Sequence, residues 1–299
     1  MREAFKQINF SDRSRDLIDL ANKIFDEYRA AGYALTLRQL YYQFVARGYL
    51  ENTERSYKNL GSVINNGRLA GWIDWDLIED RGRRLNGWRS FESAKGFVDE
   101  MTERFMVDLW ATQENYVEVW VEKEALIGVV ERACTQRRVP HFACKGYNSQ
   151  SEQWRAGRRF RRHIDAGRSV VVLHLGDHDP SGMDMTRDND NRLFEFTARE
   201  LGALKLKRIA LNWDQIERFN PPPNPTKLTD SRSRSYIENY GHESWELDAL
   251  NPTYIDELVN SHLDELIDED AWEKRLEYEA EGAAVLRKIV DRWRDIEQL

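Results

Sequence analysis

The stretch that most constrains the fold is residues 169–185, SVVVLHLGDHDPSGMDM. Its first part, 170–175, is β-branched and aliphatic with almost no polar alternation, which is typical of a strand buried on both faces of a sheet. Gly176 ends this run, and two acidic residues, Asp177 and Asp179, follow at once. Open α/β sheets bind their ligands at the carboxyl ends of such strands, so this pair is a candidate site.

The chemistry of Asp177 and Asp179 suits magnesium, which binds hard oxygen ligands, often one or two carboxylates with water or substrate phosphate. A spacing of two lets both carboxylates converge if the chain turns, and Pro180 and Gly182 favour a turn. Ser181 can cap a helix that follows. The alternative is that the aspartates form only a solvated turn and helix cap.

A third acidic residue, Glu122, follows another predicted strand, YVEVWV at 116–121. Between the two strands the pattern predicts a helix at 124–137, a short strand at 139–144, a turn at 145–147 and an Arg-rich helix at 149–166. This βαβαβ order predicts parallel strands with right-handed crossovers. Parallel strands put Glu122 and both aspartates at one edge, where three acids repel each other unless a cation is present.

The length of 299 residues predicts two domains in an α/β protein. No stretch approaches the ~20 apolar residues of a membrane span, and the start, MREAFKQINF, lacks the apolar segment of a signal peptide. We therefore expect a cytoplasmic protein without a membrane partner. Cys134 and Cys144 lack zinc-like spacing and are expected to be reduced, buried thiols.

The net charge of −8 is unusual for a nucleic-acid-binding protein, because contacts to phosphate favour basic surfaces. The arginines are nevertheless clustered, which matters more than the total. One cluster comprises Arg155, Arg158, Arg159, Arg161 and Arg162, and another Arg81, Arg83, Arg84 and Arg89. An Arg-rich helix is often only a solvated face, but two clusters around an acidic site favour a phosphodiester substrate.

The N-terminal part predicts helices. Apolar residues at helical spacing predict a helix at 12–31, and the capping-box pattern TLRQ opens a second helix at 36–48. At 100° per residue, Arg38 and Tyr42 lie one turn apart beside the apolar stripe, whereas Tyr41 faces the core. Tyr42 on its own is equally explained as a surface tyrosine stacked on Arg38.

A third predicted helix at 53–69 is followed by the turn-rich segment GWIDWDLIEDRGRR at 71–84, a candidate β wing. Three helices and a wing favour a winged-helix domain, which commonly places a helix in a DNA groove but also serves in protein contacts. A helix at 91–111 would lead to the first strand of the sheet. The predicted domains are 1–111 and 112–299.

Signals weaken beyond residue 185. The pattern predicts a helix at 191–204, a strand at 206–211, an Arg- and Ser-rich loop at 226–236 and two helices within 253–295. The segment WELDAL at 245–250 is attributed mainly to packing, with a buried tryptophan and acids at the start of a helix.

Three motifs together, VEKEAL, KGYNS and GDHDPSG, resemble the Toprim domain of the A subunit of type IIB topoisomerases (topoisomerase VI) and its meiotic double-strand-break relative. The resemblance implies Mg²⁺ held by Glu122, Asp177 and Asp179. The arrangement Arg38-x-x-Tyr41-Tyr42 resembles the nucleophile motif of the same family, and implies Tyr42 as the nucleophile with Arg38 as its partner.

The resemblance implies an N-terminal winged-helix domain at 1–111 and a Toprim domain with a parallel sheet and a C-terminal helical extension at 112–299. It implies cleavage of double-stranded DNA through a 5′-phosphotyrosyl link, in a homodimer where the tyrosine of one subunit works with the metal of the other. A separately encoded ATPase B-type subunit is a possible partner. The chain is shorter and more acidic than the usual A subunit, and it resembles the reduced forms of mobile elements and phages.

Two other functions fit the sequence. A hydrolytic Toprim nuclease would need the acids but not Tyr42, and a non-catalytic DNA-binding protein would need neither. Glu124 and Asp184 could assist the acidic site, although Glu124 equally suits the first turn of a helix. His178 lies between the aspartates, and its alternating position predicts that it points away from them.

Overall fold

The computed structural model describes residues 2–78, 90–197, 202–227, 229–230 and 232–293. Within these residues a four-stranded parallel sheet lies between layers of helices, which confirms the predicted α/β class. No helix in this part of the chain combines the length and the apolar character that a membrane crossing needs.

The N-terminal helices are α1 (Asp12–Ala30), α2 (Leu37–Ala46) and α3 (Glu54–Leu69), close to the predicted positions. They share one apolar core built from their facing stripes. The capping box of α2 is present, because Thr36 Oγ1 accepts from the Gln39 amide at 3.2 Å and Gln39 Oε1 accepts from the Thr36 amide at 2.8 Å. This cap fixes where α2 begins, and with it the orientation of Arg38 and Tyr42.

The predicted wing lies only partly in the described residues. Its described end carries a 3₁₀ turn at Trp75–Leu77 and a single parallel bridge between Leu35 and Ile78. The remainder of the wing segment, beyond residue 78, lies outside the described residues, so the winged helix stays a prediction. The helix predicted at 91–111 is shorter, α4 at Ala94–Glu103.

The sheet consists of β1 (Asn115–Val121), β2 (His141–Ala143), β3 (Ser169–Leu175) and β4 (Leu204–Ala210). Their spatial order is β2-β1-β3-β4, and every pairing is parallel, as predicted. Val121 pairs with Leu175, so β1 and β3 end side by side. Any side chain that directly follows these two strands therefore lies at the same edge.

Helices cover both faces of the sheet. One face packs against α5 (Ile127–Arg137) and α10 (Pro252–Asp264), and the other against α6 (Gln150–Asp165) and α7 (Pro180–Phe196). The core strand β3 is buried along nearly its whole length, as its unbroken apolar run predicts. The long α11 (Glu269–Asp291) packs against α4 at the periphery.

Beyond β3, the predicted helix after Ser181 and the start of the helix predicted at 191–204 belong to one helix, α7, and residues 198–201 lie outside the described residues. The helix begins at Pro180 because Asp179, and not Ser181, caps it and proline is favoured in the first turn. The predicted loop at 226–236 contains the start of α9 (Ser233–Tyr240), whereas α8 (Trp213–Phe219) precedes it. The short pair β5 (Asn224–Pro225) and β6 (Glu243–Ser244) joins this region antiparallel.

The packing of α6 on α7 makes a testable prediction at Gly157. A Cβ atom there would lie 2.2 Å from the Phe196 Cβ and 3.3 Å from its backbone. Gly157→Ala should therefore lower the free energy of unfolding by about 1–3 kcal/mol, measured by urea denaturation. The control Gly61→Ala in α3 meets only the terminal methyl of Leu37, at 3.1 Å, and should be neutral or gain up to ~1 kcal/mol from helix propensity. Equal effects would contradict the close contact.

Candidate active site

The acidic edge of the sheet brings Glu122 and Asp177 together. The Glu122 amide donates to the Leu175 carbonyl at 2.8 Å and so continues the pairing of β1 with β3. Glu122 Oε2 in turn accepts from the Asp177 amide at 2.8 Å. The predicted proximity of these two acids follows directly from the parallel register.

Asp179 lies two residues after Asp177 and is the N-cap of α7. Its Oδ1 accepts from the Gly182 amide at 2.6 Å and from the Ser181 hydroxyl at 2.8 Å. The helix-cap interpretation therefore accounts for one oxygen of this carboxylate. Its charge still acts on Glu122, whose pKa it helps to raise.

The turn between β3 and α7 is unusually tight, and Gly182 is the residue that permits it. A Cβ atom at this position would lie 2.2 Å from the Asp177 carbonyl oxygen and 3.1 Å from Glu122 Oε2. The partly buried Arg208 guanidinium donates to the Gly176 carbonyl at 2.8 Å and to the Asp177 carbonyl at 2.6 Å. Sequence analysis missed Arg208, which reaches the turn because β4 lies beside β3.

The carboxylates of this edge carry an electrostatic cost. Burial raises the pKa of Glu122, and it raises the pKa of Asp177 to about 8, with the charges of Glu122 and Asp248 adding to the shift. Several buried carboxylates that resist ionisation form a donor set suited to a hard divalent cation. In the described residues no group of three acids, histidines or cysteines is already arranged to hold a metal ion.

Lys123 lies beside this edge and contacts three carboxylates. Its Nζ is 3.1 Å from Asp177 Oδ2, 2.7 Å from Glu246 Oε2 and 3.0 Å from Asp248 Oδ1. The second oxygen of Asp177, Oδ1, accepts from the Leu247 amide at 2.7 Å. The segment that carries Glu246 and Asp248 is therefore bound directly to the acidic edge.

Sequence analysis predicted a buried tryptophan and acids at a helix start, and the structure has Trp245 buried and a 3₁₀ turn at Leu247–Ala249. The contacts of Glu246 and Asp248 with Lys123 were not predicted. The segment is held in place by Trp245, whose amide donates to the His178 carbonyl at 2.9 Å while the His178 amide donates to the Trp245 carbonyl at 2.8 Å. The alternation of Glu246 and Asp248 around a buried leucine was the available signal.

Arg38 joins the N-terminal helices to the same acids. It forms an ion pair with Glu246, and its Nε lies 3.2 Å from Asp248 Oδ2. Because Glu246 and Asp248 also contact Lys123, one network of charges runs from the sheet edge to α2. We call this set Arg38, Lys123, Asp177, Glu246 and Asp248 the charge network.

Tyr42 lies beside Arg38, as predicted, with the guanidinium carbon 6.0 Å from the centre of its ring. It is only 3% exposed, so the expectation that it stands apart from the core was wrong. Burial raises the pKa of its phenol to about 12, and the charges of Asp248 and Glu246 contribute. Its hydroxyl contacts Glu246 and Asn224.

A cavity of about 380 Å³ opens beside Tyr42. It is lined by Arg38, Tyr41, Tyr42, Asn52, Thr53, Glu54, Tyr57, Lys58, Asn224 and Glu246. The neighbouring Tyr41 directs its hydroxyl elsewhere, donating to the Thr53 carbonyl at 3.1 Å. Of the two adjacent tyrosines, Tyr42 is therefore the one in contact with the charge network.

The predicted DNA-binding arginines have different environments. Arg159 is bound to the buried Glu118, with 3.0 Å between its Nη2 and Glu118 Oε2, whereas Arg162 is exposed. Arg158 is exposed and lies over the Trp154 ring, 5.5 Å from its centre. The second cluster, Arg81, Arg83, Arg84 and Arg89, lies outside the described residues.

The remaining candidates lie apart from the charge network. Glu124 pairs with Lys145 at 2.8 Å, and Asp184 pairs with Arg232 at 3.1 Å. The prediction that His178 points away is confirmed, because its Nδ1 lies 2.7 Å from the Tyr236 hydroxyl. The predicted buried thiols are also confirmed: Cys134 and Cys144 are free and buried.

Comparison with known proteins assigns no family. No protein-family model matches the chain, and no curated protein matches it significantly. The resemblance to the topoisomerase VI A subunit therefore rests on the sequence motifs. The geometry of the acidic edge and the charge network is a separate observation.

The raised pKa of Asp177 predicts how stability depends on pH. Because the folded state raises this pKa from 3.8 to about 8, the folded protein holds the proton more tightly than the unfolded chain. The free energy of unfolding should therefore fall as pH rises through this window. Asp177→Asn should flatten that fall, measured by urea denaturation at several pH values.

The control for this prediction is Asp19→Asn, which makes the same charge change at an exposed position on α1. It should keep the wild-type slope. An Asp177→Asn profile parallel to wild type would contradict the assignment.

A second prediction concerns the phenol of Tyr42. Glu246→Gln removes a negative charge that raises the Tyr42 pKa and leaves Arg38 close to the ring, so this pKa should fall. Carbon-13 NMR of tyrosines labelled at Cζ measures it, with Tyr42→Phe assigning the signal. Glu243→Gln makes the same charge change at an exposed residue of β6 and should leave the Tyr42 pKa unchanged. An unchanged pKa in Glu246→Gln would refute the coupling.

Proposed function

We propose that the chain is a magnesium-dependent DNA-cleaving enzyme of the topoisomerase VI A type, with Tyr42 as the nucleophile. The observation that carries the proposal is the charge network, which links the Arg38–Tyr42 pair to the acids at the carboxyl edge of the sheet. A hydrolytic nuclease would need only the acidic edge. A binding protein would have no need to keep a tyrosine and an arginine against it.

Two neighbouring cavities support a substrate that reaches both Tyr42 and the acidic edge of the sheet. The cavity beside Tyr42 and a second one of about 520 Å³ lined by Asp179 share Glu54, Asn224 and Glu246. A phosphodiester backbone lying along them would contact the tyrosine and the acids of a single chain. The resemblance implies instead that the tyrosine of one subunit works with the metal of the other in a homodimer, and we include that dimer in the proposal.

The proposed reaction is a transesterification. The Tyr42 phenol gives up its proton to water, and its oxygen bonds to phosphorus while the bond from phosphorus to the 3′ oxygen breaks. The 3′ oxygen takes up a proton from water and leaves as a hydroxyl. Arg38 would stabilise the charge that develops on the phosphate. Glu122, Asp177 and Asp179 would hold Mg²⁺, which neutralises phosphate charge and orients the scissile bond.

In the absence of substrate, burial and the charges around Tyr42 keep it a poor nucleophile. The pKa of Tyr42 is raised to about 12, so its phenol is protonated at neutral pH. Arg38 is paired with Glu246 and Asp248, and a DNA phosphate would compete with these carboxylates for it. Arg38 would therefore become available to the phosphate, and Tyr42 would attack, only when DNA is bound.

The proposal includes the partners and architecture that the resemblance implies. These are double-stranded DNA, a separately encoded ATPase B-type subunit, a nucleoid-associated cytoplasmic location, and winged-helix and Toprim domains at 1–111 and 112–299. Exposed Arg158 and Arg162, with Trp154 beside Arg158, support a DNA-contacting face on α6. Arg81 and Arg83 remain predicted contacts.

The direct test is incubation with supercoiled plasmid and Mg²⁺, stopped with denaturant and run with and without protease digestion. Wild type should give protein-linked cleaved DNA, whereas Tyr42→Phe and Asp177→Ala should give none. Tyr41→Phe is the matched control, since it removes the neighbouring hydroxyl, which is bound to the Thr53 carbonyl, and should still cleave.

Other results would select another function. Free DNA ends from both wild type and Tyr42→Phe would establish a hydrolytic nuclease. DNA binding without cleavage by any variant, even with a candidate ATPase partner added, would favour a non-catalytic DNA-binding protein.

A further inference from the structure

We propose that the Lys123 ammonium is a built-in cation that takes the place of a second divalent ion, so that the site loads one metal ion instead of two. This inference rests on the proposed function for the first metal ion. It assigns Lys123 as a positioning residue, since it acts through Asp177, Glu246 and Asp248 and not on the reacting atoms.

The contacts of Lys123 match the donors of an ammonium group. An ammonium has three N–H donors, and Nζ lies 2.7–3.1 Å from one oxygen each of Asp177, Glu246 and Asp248. The lysine side chain is 19% exposed, and that of Asp248 is fully buried. Three carboxylates with this little access to water need a cation between them.

The ammonium lies 3.1 Å from an oxygen of Asp177, a predicted ligand of the first metal ion. Two-metal sites hold their ions about 3.5–4 Å apart and clamp both the attacking and the leaving oxygen. Asp177 is a predicted ligand of the first ion, and its Oδ2 faces Lys123. On the far side of Lys123, Glu246 and Asp248 contact Arg38, beside Tyr42.

A fixed ammonium and a divalent ion would differ in their effect. Lys123 supplies one positive charge at any metal concentration, and its three donors are already used by carboxylates. It therefore holds Glu246 and Asp248 in place for Arg38 without offering a free coordination site to the substrate. Only the first metal ion would then respond to the Mg²⁺ concentration.

The experiment counts bound Mn²⁺ by electron paramagnetic resonance titration of the full chain. Lys123→Ala leaves the three carboxylates without their ammonium and should bind one more Mn²⁺ than wild type. Adding Asp248→Asn to this variant removes one carboxylate and should abolish the extra ion. Lys145→Ala removes an exposed lysine paired with Glu124 and should leave the count unchanged.

A second measurement, the thermal midpoint of unfolding, applies if the Lys123→Ala variant is too unstable for the titration. If Lys123→Ala is unstable, Mn²⁺ should raise its thermal midpoint more than that of wild type, because the ion replaces the missing charge. Equal counts in both proteins with equal stabilisation would overturn the proposal. So would two ions in wild type, or an extra ion that persists with Asp248→Asn.

This result is separable from the proposed function. If wild type binds no Mn²⁺ and Lys123→Ala binds one, the predicted metal site of Glu122, Asp177 and Asp179 fails, and the count of one ion instead of two fails with it. The replacement of a divalent ion by the Lys123 ammonium would still hold. If wild type cleaves DNA through Tyr42 but Lys123→Ala gains no ion, the proposed function stands and the inference fails.

Discussion

The in-register pairing of β1 with β3 is the constraint on which the site depends. Because Val121 lies opposite Leu175, the residues that follow both strands emerge at one point, and the Glu122 carboxylate accepts from the Asp177 amide. Burial of two acids there raises their pKa values. Two partly buried cations lie next to them, Lys123 beside the Asp177 carboxylate and Arg208 beside the Asp177 carbonyl. The remainder of the site is arranged around that concentration of charge.

Local pattern was enough to predict the part of the site that follows the strands. An unbroken apolar run identifies a buried parallel strand, and the first polar residues after it must lie at the sheet edge. Glu122, Asp177 and Asp179 could therefore be predicted from the sequence. Glu246, Asp248 and Arg208 were not, because each reaches the edge through a long-range pairing. The bridge between His178 and Trp245 places the first two, and the position of β4 places Arg208.

The environment of Tyr42 likewise combines a local pattern, which could be predicted, with long-range contacts, which could not. Helical geometry predicted its position beside Arg38, since that depends only on the rise and twist of α2. Its burial depends on the core of the N-terminal helices, which includes Ala249, and its hydroxyl contacts Glu246 and Asn224. Ala249, Glu246 and Asn224 all lie about 180 residues or more further along the chain. The start of α7 was predicted to within two residues, with Ser181 as the cap, whereas the structure has Asp179 in that position.

The backbone bridge between His178 and Trp245 has a mechanical consequence. It ties the loop of Asp177 and Asp179 to the segment of Glu246 and Asp248 by two hydrogen bonds, whereas Arg38 is linked to that segment through side-chain charges that salt can screen. Salt therefore weakens the link from Arg38 to Glu246 and Asp248, while the two backbone hydrogen bonds keep the two carboxylate-bearing segments at a fixed spacing.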